Sequence, residues 1–213
     1  HYYFRGKYMA MSLKVIVPPH PLLKHWLSIL RDKNTPDILY STGYEQIGKW
    51  LTYEALRDWL PYKEEIIDTF CGPKDCFFIN SNYPIRVIAQ IPEGLTLWCG
   101  AKEVIPNSIL SLGELPNVIE KNEGIIIYTS QIKKDNNSLD LLKGLEKLGV
   151  RSNRILMISC LCSKEGLNEI AKLFPEQKIY TSCIDIENNL SSYLNPGIGN
   201  PMLRLSTKFQ EKN

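Results

Sequence analysis

Residues 124–181, GIIIYTSQIKKDNNSLDLLKGLEKLGVRSNRILMISCLCSKEGLNEIAKLFPEQKIYT, decide the fold. Three β-rich runs, Gly124–Tyr128, Ile155–Leu161 and Lys178–Thr181, alternate with two stretches of helical spacing, Leu139–Leu148 and Lys164–Leu173. Gly149 follows the first of these helices as a C-terminal stop. Strands separated by helix-length segments pair in parallel, because a parallel neighbour needs a crossover of a dozen or more residues. Three of the strands in this half of the chain are nearly all apolar, as strands covered on both faces must be.

Working outward, Arg86–Ile91 and Ser108–Leu110 extend the β-rich series. Pro21–Leu30 carries Leu22, Leu23, Trp26, Leu27 and Leu30 behind a proline suited to a first helical turn. Glu45–Leu60 repeats Ile47, Trp50, Leu51, Leu56 and Leu60 and is closed by Pro61, a second amphipathic helix. Between them and the sheet, Lys63–Pro84 yields only short β-like pieces. Open parallel sheets bind ligands beyond the carboxyl ends of their strands, which directs attention to the segments after Ile91, Tyr128 and Ile184.

The chain has 213 residues, enough for one core without a disulfide or metal. We read one domain over 13–209, preceded by an arm or leader remnant at 1–12 and followed by a tail at 210–213. Its 25 basic and 23 acidic residues are interspersed, which argues against nucleic acid as a partner. No apolar run approaches the ~20 residues of a membrane span, so a soluble protein is expected. The six cysteines, at 71, 76, 99, 160, 162 and 183, read as reduced thiols. Cys71 and Cys76 lack a second ligand pair at zinc-like spacing. His20 and His25, five apart, fall on different helical faces and read as structural, and Glu54 with Arg57 reads as a helix-surface ion pair. Trp26, Trp50, Trp59 and Trp98 are assigned to cores or a subunit interface.

Three ordered segments, His20-Pro21-Leu22-Leu23-Lys24-His25, Leu51-Thr52-Tyr53-Glu54-Ala55 and Tyr193-Leu194-Asn195-Pro196-Gly197-Ile198-Gly199, resemble signatures of the uracil phosphoribosyltransferases. Val15–Pro19 and Lys49–Pro61 look most like the branch found in photosynthetic bacteria and plastids. The resemblance implies an α/β fold of the type I phosphoribosyltransferase kind, a parallel sheet flanked by helices with a small hood over the base. It implies a reaction joining uracil to phosphoribosyl pyrophosphate, with magnesium on the pyrophosphate, to give uridine monophosphate. It also implies a dimer formed through helical surfaces.

The same resemblance shows departures at each working part. The family's sugar-phosphate loop places an acid at a strand end and then a Thr-Gly-Gly-Ser run, whose backbone N–H groups cradle a phosphate at a helix N-terminus. Here that stretch reads Thr129-Ser130-Gln131-Ile132-Lys133-Lys134-Asp135-Asn136-Asn137-Ser138, with no acid at the strand end and no glycine. Lys133 and Lys134 can supply point charges and Ser138 a helix cap, but a loop with a side chain at every position does not let backbone approach so closely. The pyrophosphate turn, Arg-Ala-Gly-Leu-Gly in the family, reads Pro92-Glu93-Gly94-Leu95-Thr96. Between Leu110 and Gly124 the chain is shorter than the family pattern by a hairpin-sized segment, the flap that covers the active site. The base loop keeps Gly197 and Gly199 but continues Asn200-Pro201 in place of carboxylates.

We therefore designate no catalytic residue. The remnant sites are Tyr193, Leu194, Asn195, Pro196, Gly197, Gly199 and Asn200 for the base, Thr129, Ser130, Lys133, Lys134, Asn137 and Ser138 for the sugar phosphate, and Pro92, Glu93 and Gly94 for the pyrophosphate. Asp185 and Glu187 are read as structural or hood residues. The expected function is a binding or structural component, a pseudoenzyme in a homodimer or a larger plastid or photosynthetic assembly, with no cofactor. The alternative is an active or altered uracil phosphoribosyltransferase of pyrimidine salvage, using magnesium. The expected location is the cytoplasm of a photosynthetic bacterium or the plastid stroma.

Overall fold

The computed structural model describes residues 13–105, 107–134, 137–188 and 193–206. The arm at 1–12 and the tail at 210–213 lie outside the described residues. In chain order the elements are β1 (Lys14–Ile16), α1 (Pro21–Arg31), α2 (Asp37–Leu56), β2 (Tyr62–Thr69), β3 (Gly72–Ile79), β4 (Ile85–Ala89) and α3 (Glu93–Ala101). There follow β5 (Ser108–Leu112), β6 (Gly124–Ile132), α4 (Ser138–Lys147), β7 (Ile155–Ser163), α5 (Lys164–Leu173), β8 (Lys178–Glu187), β9 (Leu194–Asn195) and α6 (Pro201–Leu205).

Six strands form a parallel sheet in the order β1-β8-β7-β6-β4-β5, and β9 adds antiparallel to the far end of β8. Every residue of β7 is buried. On β6 the side chains alternate between two cores: Ile126 and Tyr128 face α1, α2 and α3, while Ile125 and Ile127 face α4 and α5. The result is a sheet sandwiched between two helical layers, with β9 paired to the carboxyl end of β8 and the residues that lead into α6 beside the same end of the sheet.

Helix α5 spans the predicted residues, and α4 and the five strands begin within one residue of their predicted starts, but four readings are corrected. β6 continues past Tyr128 to Ile132, because Gln131 and Ile132 still pair with Leu161 and Cys162 of β7. Lys63–Pro84 is one regular hairpin, β2–β3, in unbroken register from Tyr62↔Ile79 to Thr69↔Gly72. α2 starts eight residues early, because buried Tyr40, Gly43 and Tyr44 continue its inner stripe, and it ends at Leu56. Pro92–Thr96 is no turn: Pro92 is the N-cap of α3 and Glu93 its first residue.

Gly94 explains why α3 starts there. A Cβ at this position would sit 2.1 Å from the Tyr128 carbonyl oxygen, so the helix can rest on β6 only with glycine at the contact. Gly94→Ala is therefore expected to cost about 1–3 kcal/mol by overpacking. A lower melting temperature, with the circular dichroism spectrum at 20 °C unchanged, checks this; an unchanged melting temperature contradicts it.

Candidate functional site

The carboxyl ends of β4, β5 and β6 open on a cleft of about 1040 Å³, whose fourth wall is Tyr193 together with Gly199 to Met202. The size is slightly above the usual range for a small-molecule site. Residues from all three segments that the sequence reading singled out reach it: Tyr193, Gly199 and Asn200 from the segment read as the base loop, Thr129, Ser130, Lys133 and Asn137 from that read as the sugar-phosphate loop, and Glu93 from that read as the pyrophosphate turn. Leu194, Asn195, Pro196, Gly197, Lys134, Ser138, Pro92 and Gly94 do not line it. Three carboxylates, Glu93, Glu114 and Asp140, face the cleft against one lysine, Lys133, among its described lining residues.

The hydroxyls at the end of β6 are engaged by the protein itself. Thr129 is buried and accepts from the Ser138 Oγ at 3.5 Å, and the Ser130 Oγ lies 2.7 Å from the Tyr44 hydroxyl. Ser138 is thus the first helical residue of α4 with its side chain turned to β6, and the N-cap position belongs to Asn137. The expected Ser138 cap is corrected accordingly. The Lys134 N–H donates to Glu187 Oε1 at 2.6 Å, and Ser163 Oγ donates to the same oxygen.

Asp185 does for the base loop what Glu187 does for the segment after β6. Its carboxylate takes both terminal nitrogens of Arg31, each at 2.8 Å, and the Gly197 N–H at 2.9 Å. Arg31 also donates to the Gly197 carbonyl at 3.0 Å, and the Tyr40 hydroxyl donates to the Ile198 carbonyl at 3.0 Å. Gly197 has φ +60, a left-handed conformation that favours glycine. Farther along, Asn200 Oδ1 accepts from the Leu203 N–H and caps α6, whose Arg204 stacks 4.0 Å over the Tyr40 ring. The backbone groups that open this loop therefore face inward, onto protein partners.

Remaining candidates resolve as scaffold. His20 caps α1 through Leu22 and stacks on Trp50 at 5.5 Å, while His25 packs edge-on to Trp26. Arg57 pairs with Glu54 at 2.8 Å on the surface of α2 and the turn after it. All four tryptophans pack against the core between the sheet and α1–α3. The six cysteines are free; Cys160 and Cys162 lie inside β7, where burial pushes both thiols up to about 12 and leaves them inert at neutral pH. Among the described residues, no three His, Cys, Asp or Glu side chains converge on a metal-sized site. Sequence reasoning missed Gln90, Gly113, Glu114 and Asp140 in the cleft. Asp140 had a signal, an acid in the first turn of a helix that follows a candidate loop; Glu114 had none.

The profile of the family described as uracil phosphoribosyltransferase matches residues 17–204 of this chain. The chain belongs to the uracil phosphoribosyltransferase family. Among curated members, it is 30% identical to the uracil phosphoribosyltransferase of Nostoc sp., covering 90% of this chain and 96% of that protein. It is 31% identical to the chloroplastic uracil phosphoribosyltransferase of Arabidopsis thaliana, over 87% of this chain and 68% of that one. The solved structure of the AQ2163 protein from Aquifex aeolicus superposes with a TM-score of 0.78 at 23% identity, covering 90% and 97% of the two chains, and supports the fold. The type I phosphoribosyltransferase-like arrangement, a parallel sheet between helices, is therefore that of the uracil phosphoribosyltransferases.

Within that family fold, Asp185 is the residue that sets the base loop. Burial tends to raise its carboxyl, but the hydrogen bond and charge of Arg31, with the Gly197 N–H, hold it below the ordinary carboxylate value. A carboxylate depressed in the folded state stabilises that state above its unfolded pKa, about 3.9, and loses the contribution as pH falls through its lower folded value. Asp185→Asn is expected to cost about 3 kcal/mol at neutral pH, as does removal of one member of a buried pair. The melting-temperature gap to the wild type should narrow below about pH 4. A gap constant down to pH 2 contradicts the clamp.

Proposed function

We propose that this chain keeps the uracil phosphoribosyltransferase fold without the transferase activity, and serves as a binding component built as a homodimer. The cleft's charge carries the reading: Glu93, Glu114 and Asp140 stand against Lys133 where a substrate with several phosphate charges has to bind. One like-charge pair at ~8 Å costs about 0.5 kcal/mol in water and about 2 kcal/mol at an effective dielectric near 20. The glycine-free segment from Thr129 to Ser138 supplies no compensating backbone cradle. The base loop turns its Gly197 and Ile198 groups to Arg31, Asp185 and Tyr40, which argues against uracil recognition through that backbone.

Magnesium would take part as the companion of the pyrophosphate, held by one or two carboxylates, water and phosphate oxygens rather than by an all-protein cage. It would arrive only with pyrophosphate. The second reading, an altered transferase that makes uridine monophosphate in pyrimidine salvage, is favoured by the retained cleft volume and by the names of the relatives. The sources of those relatives, a cyanobacterium and a chloroplast, also favour the cytoplasm of a photosynthetic bacterium or the plastid stroma. No helix among the described residues is long and apolar enough to cross a membrane.

The β2–β3 hairpin supports the dimer. One of its faces carries Tyr62, Ile66, Phe77 and Ile79, 66, 73, 66 and 47% exposed, and Phe70 protrudes at its tip. A lone two-stranded hairpin is marginal in water and needs a surface to cover it. Glu64, Asp68 and Asp75 share that face, and a hollow walled by Tyr53, Leu56, Leu60 and Val104, with Arg57 at its rim already paired to Glu54, offers apolar surface to the hairpin's aromatic and aliphatic side chains. A twofold exchange, each hairpin lying in its partner's hollow, satisfies both copies at once.

Isothermal titration of the full chain with phosphoribosyl pyrophosphate and magnesium should show no binding; micromolar affinity overturns the reading. Sedimentation velocity should give a dimer that Ile66→Ser with Phe77→Ser converts to a folded monomer. A wild-type monomer at tens of micromolar contradicts the dimer.

A further inference from the structure

At the opposite pole of the sheet a second hollow, of about 480 Å³, opens where β4, β6, β7 and β8 begin. It lies about 16 Å from the cleft along β6, the length of the five-residue rise from Gly124 to Thr129. Its chemistry is the inverse of the cleft's. Lys121, Arg154 and Lys178 face it, against Asp58 as the one carboxylate of its lining without an ion pair among the described residues. The other acid, Glu123, is 1% exposed and spent on Arg86, 2.7 Å away, with its second oxygen accepting from the Glu120 N–H.

Arg154 has no carboxylate partner among the described residues. Its guanidinium is pinned by the carbonyls of Glu120 and Glu123 at 2.6 to 2.9 Å, which fixes its position and leaves its charge uncompensated. Lys121 and Lys178 likewise form no ion pair among the described residues. Beside these cations stand two aromatic rings, Trp59 and Tyr83. The Trp59 ring lies against Gly124 so closely that a Cβ there would meet it at 2.5 Å, so the glycine at the start of β6 makes the seat for the indole.

A pinned guanidinium and two further cations next to a held aromatic ring suit a ligand with both an anionic group and a flat ring. The volume is within the range of small-molecule sites. We infer that this hollow, formed by Trp59, Tyr83, Lys121, Arg154 and Lys178, is a binding site for a small ring-bearing phosphate of nucleoside monophosphate size. It stands apart from the cleft and does not depend on how the cleft is read.

The test is two-dimensional amide NMR of the full chain with adenosine monophosphate, adenosine and inorganic phosphate as three separate probes. The monophosphate should shift the Gly124 amide and the Trp59 indole N–H saturably, with a Kd below about 1 mM, and tighter than either fragment by at least tenfold. Binding should weaken as salt rises. Lys121→Glu with Lys178→Glu should weaken it about tenfold or more, and Glu93→Gln with Asp140→Asn in the cleft should leave it unchanged. Should the charge-reversed pair fail to fold, Lys121→Gln with Lys178→Gln reads the same loss. No saturable shift at these two groups, shifts confined to the cleft, or affinity indifferent to both lysine variants overturns the assignment.

Discussion

The stacking of β6, β7 and β8 between two helical layers is the constraint on which the rest depends. β7 is buried along its whole length, and its ladders to β6 and β8 keep one register from the first paired residue to the last. Such strands have no freedom to slip, because each side chain already faces one of two filled cores. That rigidity brings Thr129, Ser163 and Asp185 to one edge of the sheet. From there β8 reaches out with Asp185 and Glu187, which tie down the base loop and the segment after β6. Two loops that bind substrate groups in the family pattern are here held by the scaffold's own carboxylates.

A site can keep its frame and lose its chemistry because the two rest on different interactions. Burial of apolar strands and the Arg31–Asp185 pair maintain the walls of the cleft, and neither requires phosphate-binding residues. Electrostatic fit to a polyanion depends instead on a few rim side chains, where Glu93, Glu114 and Asp140 set the sign. The opposite pole carries the cations. The near-neutral total is thus unevenly shared between these two hollows, acids prevailing in the lining of one and cations in that of the other.

Much of the frame was legible because its strands are continuous apolar runs and its α4 and α5 have clean amphipathic spacing. What escaped had a physical reason. The early turns of α2 bury tyrosines and a glycine, which an aliphatic pattern does not count. α3 begins with Pro-Glu-Gly, a turn-like string that becomes helical because Gly94 must press on Tyr128. The hairpin resisted reading because apolar and charged residues share each of its faces without a core to sort them. In the cleft, motif positions were legible, but the direction of their polar groups was not. Thr129, Ser130 and Asn200 line the cleft, and their partners, Ser138, Tyr44 and the Leu203 N–H, are set by tertiary contacts or by local turns that the pattern leaves open.

We propose that a phosphoribosyltransferase frame persists here around a cleft that does not support transfer. It is tested most directly by incubating the purified full chain with labelled uracil, phosphoribosyl pyrophosphate and magnesium and measuring labelled uridine monophosphate over many hours. The account predicts no product above the protein-free control. Sustained formation of uridine monophosphate in proportion to protein concentration would contradict it.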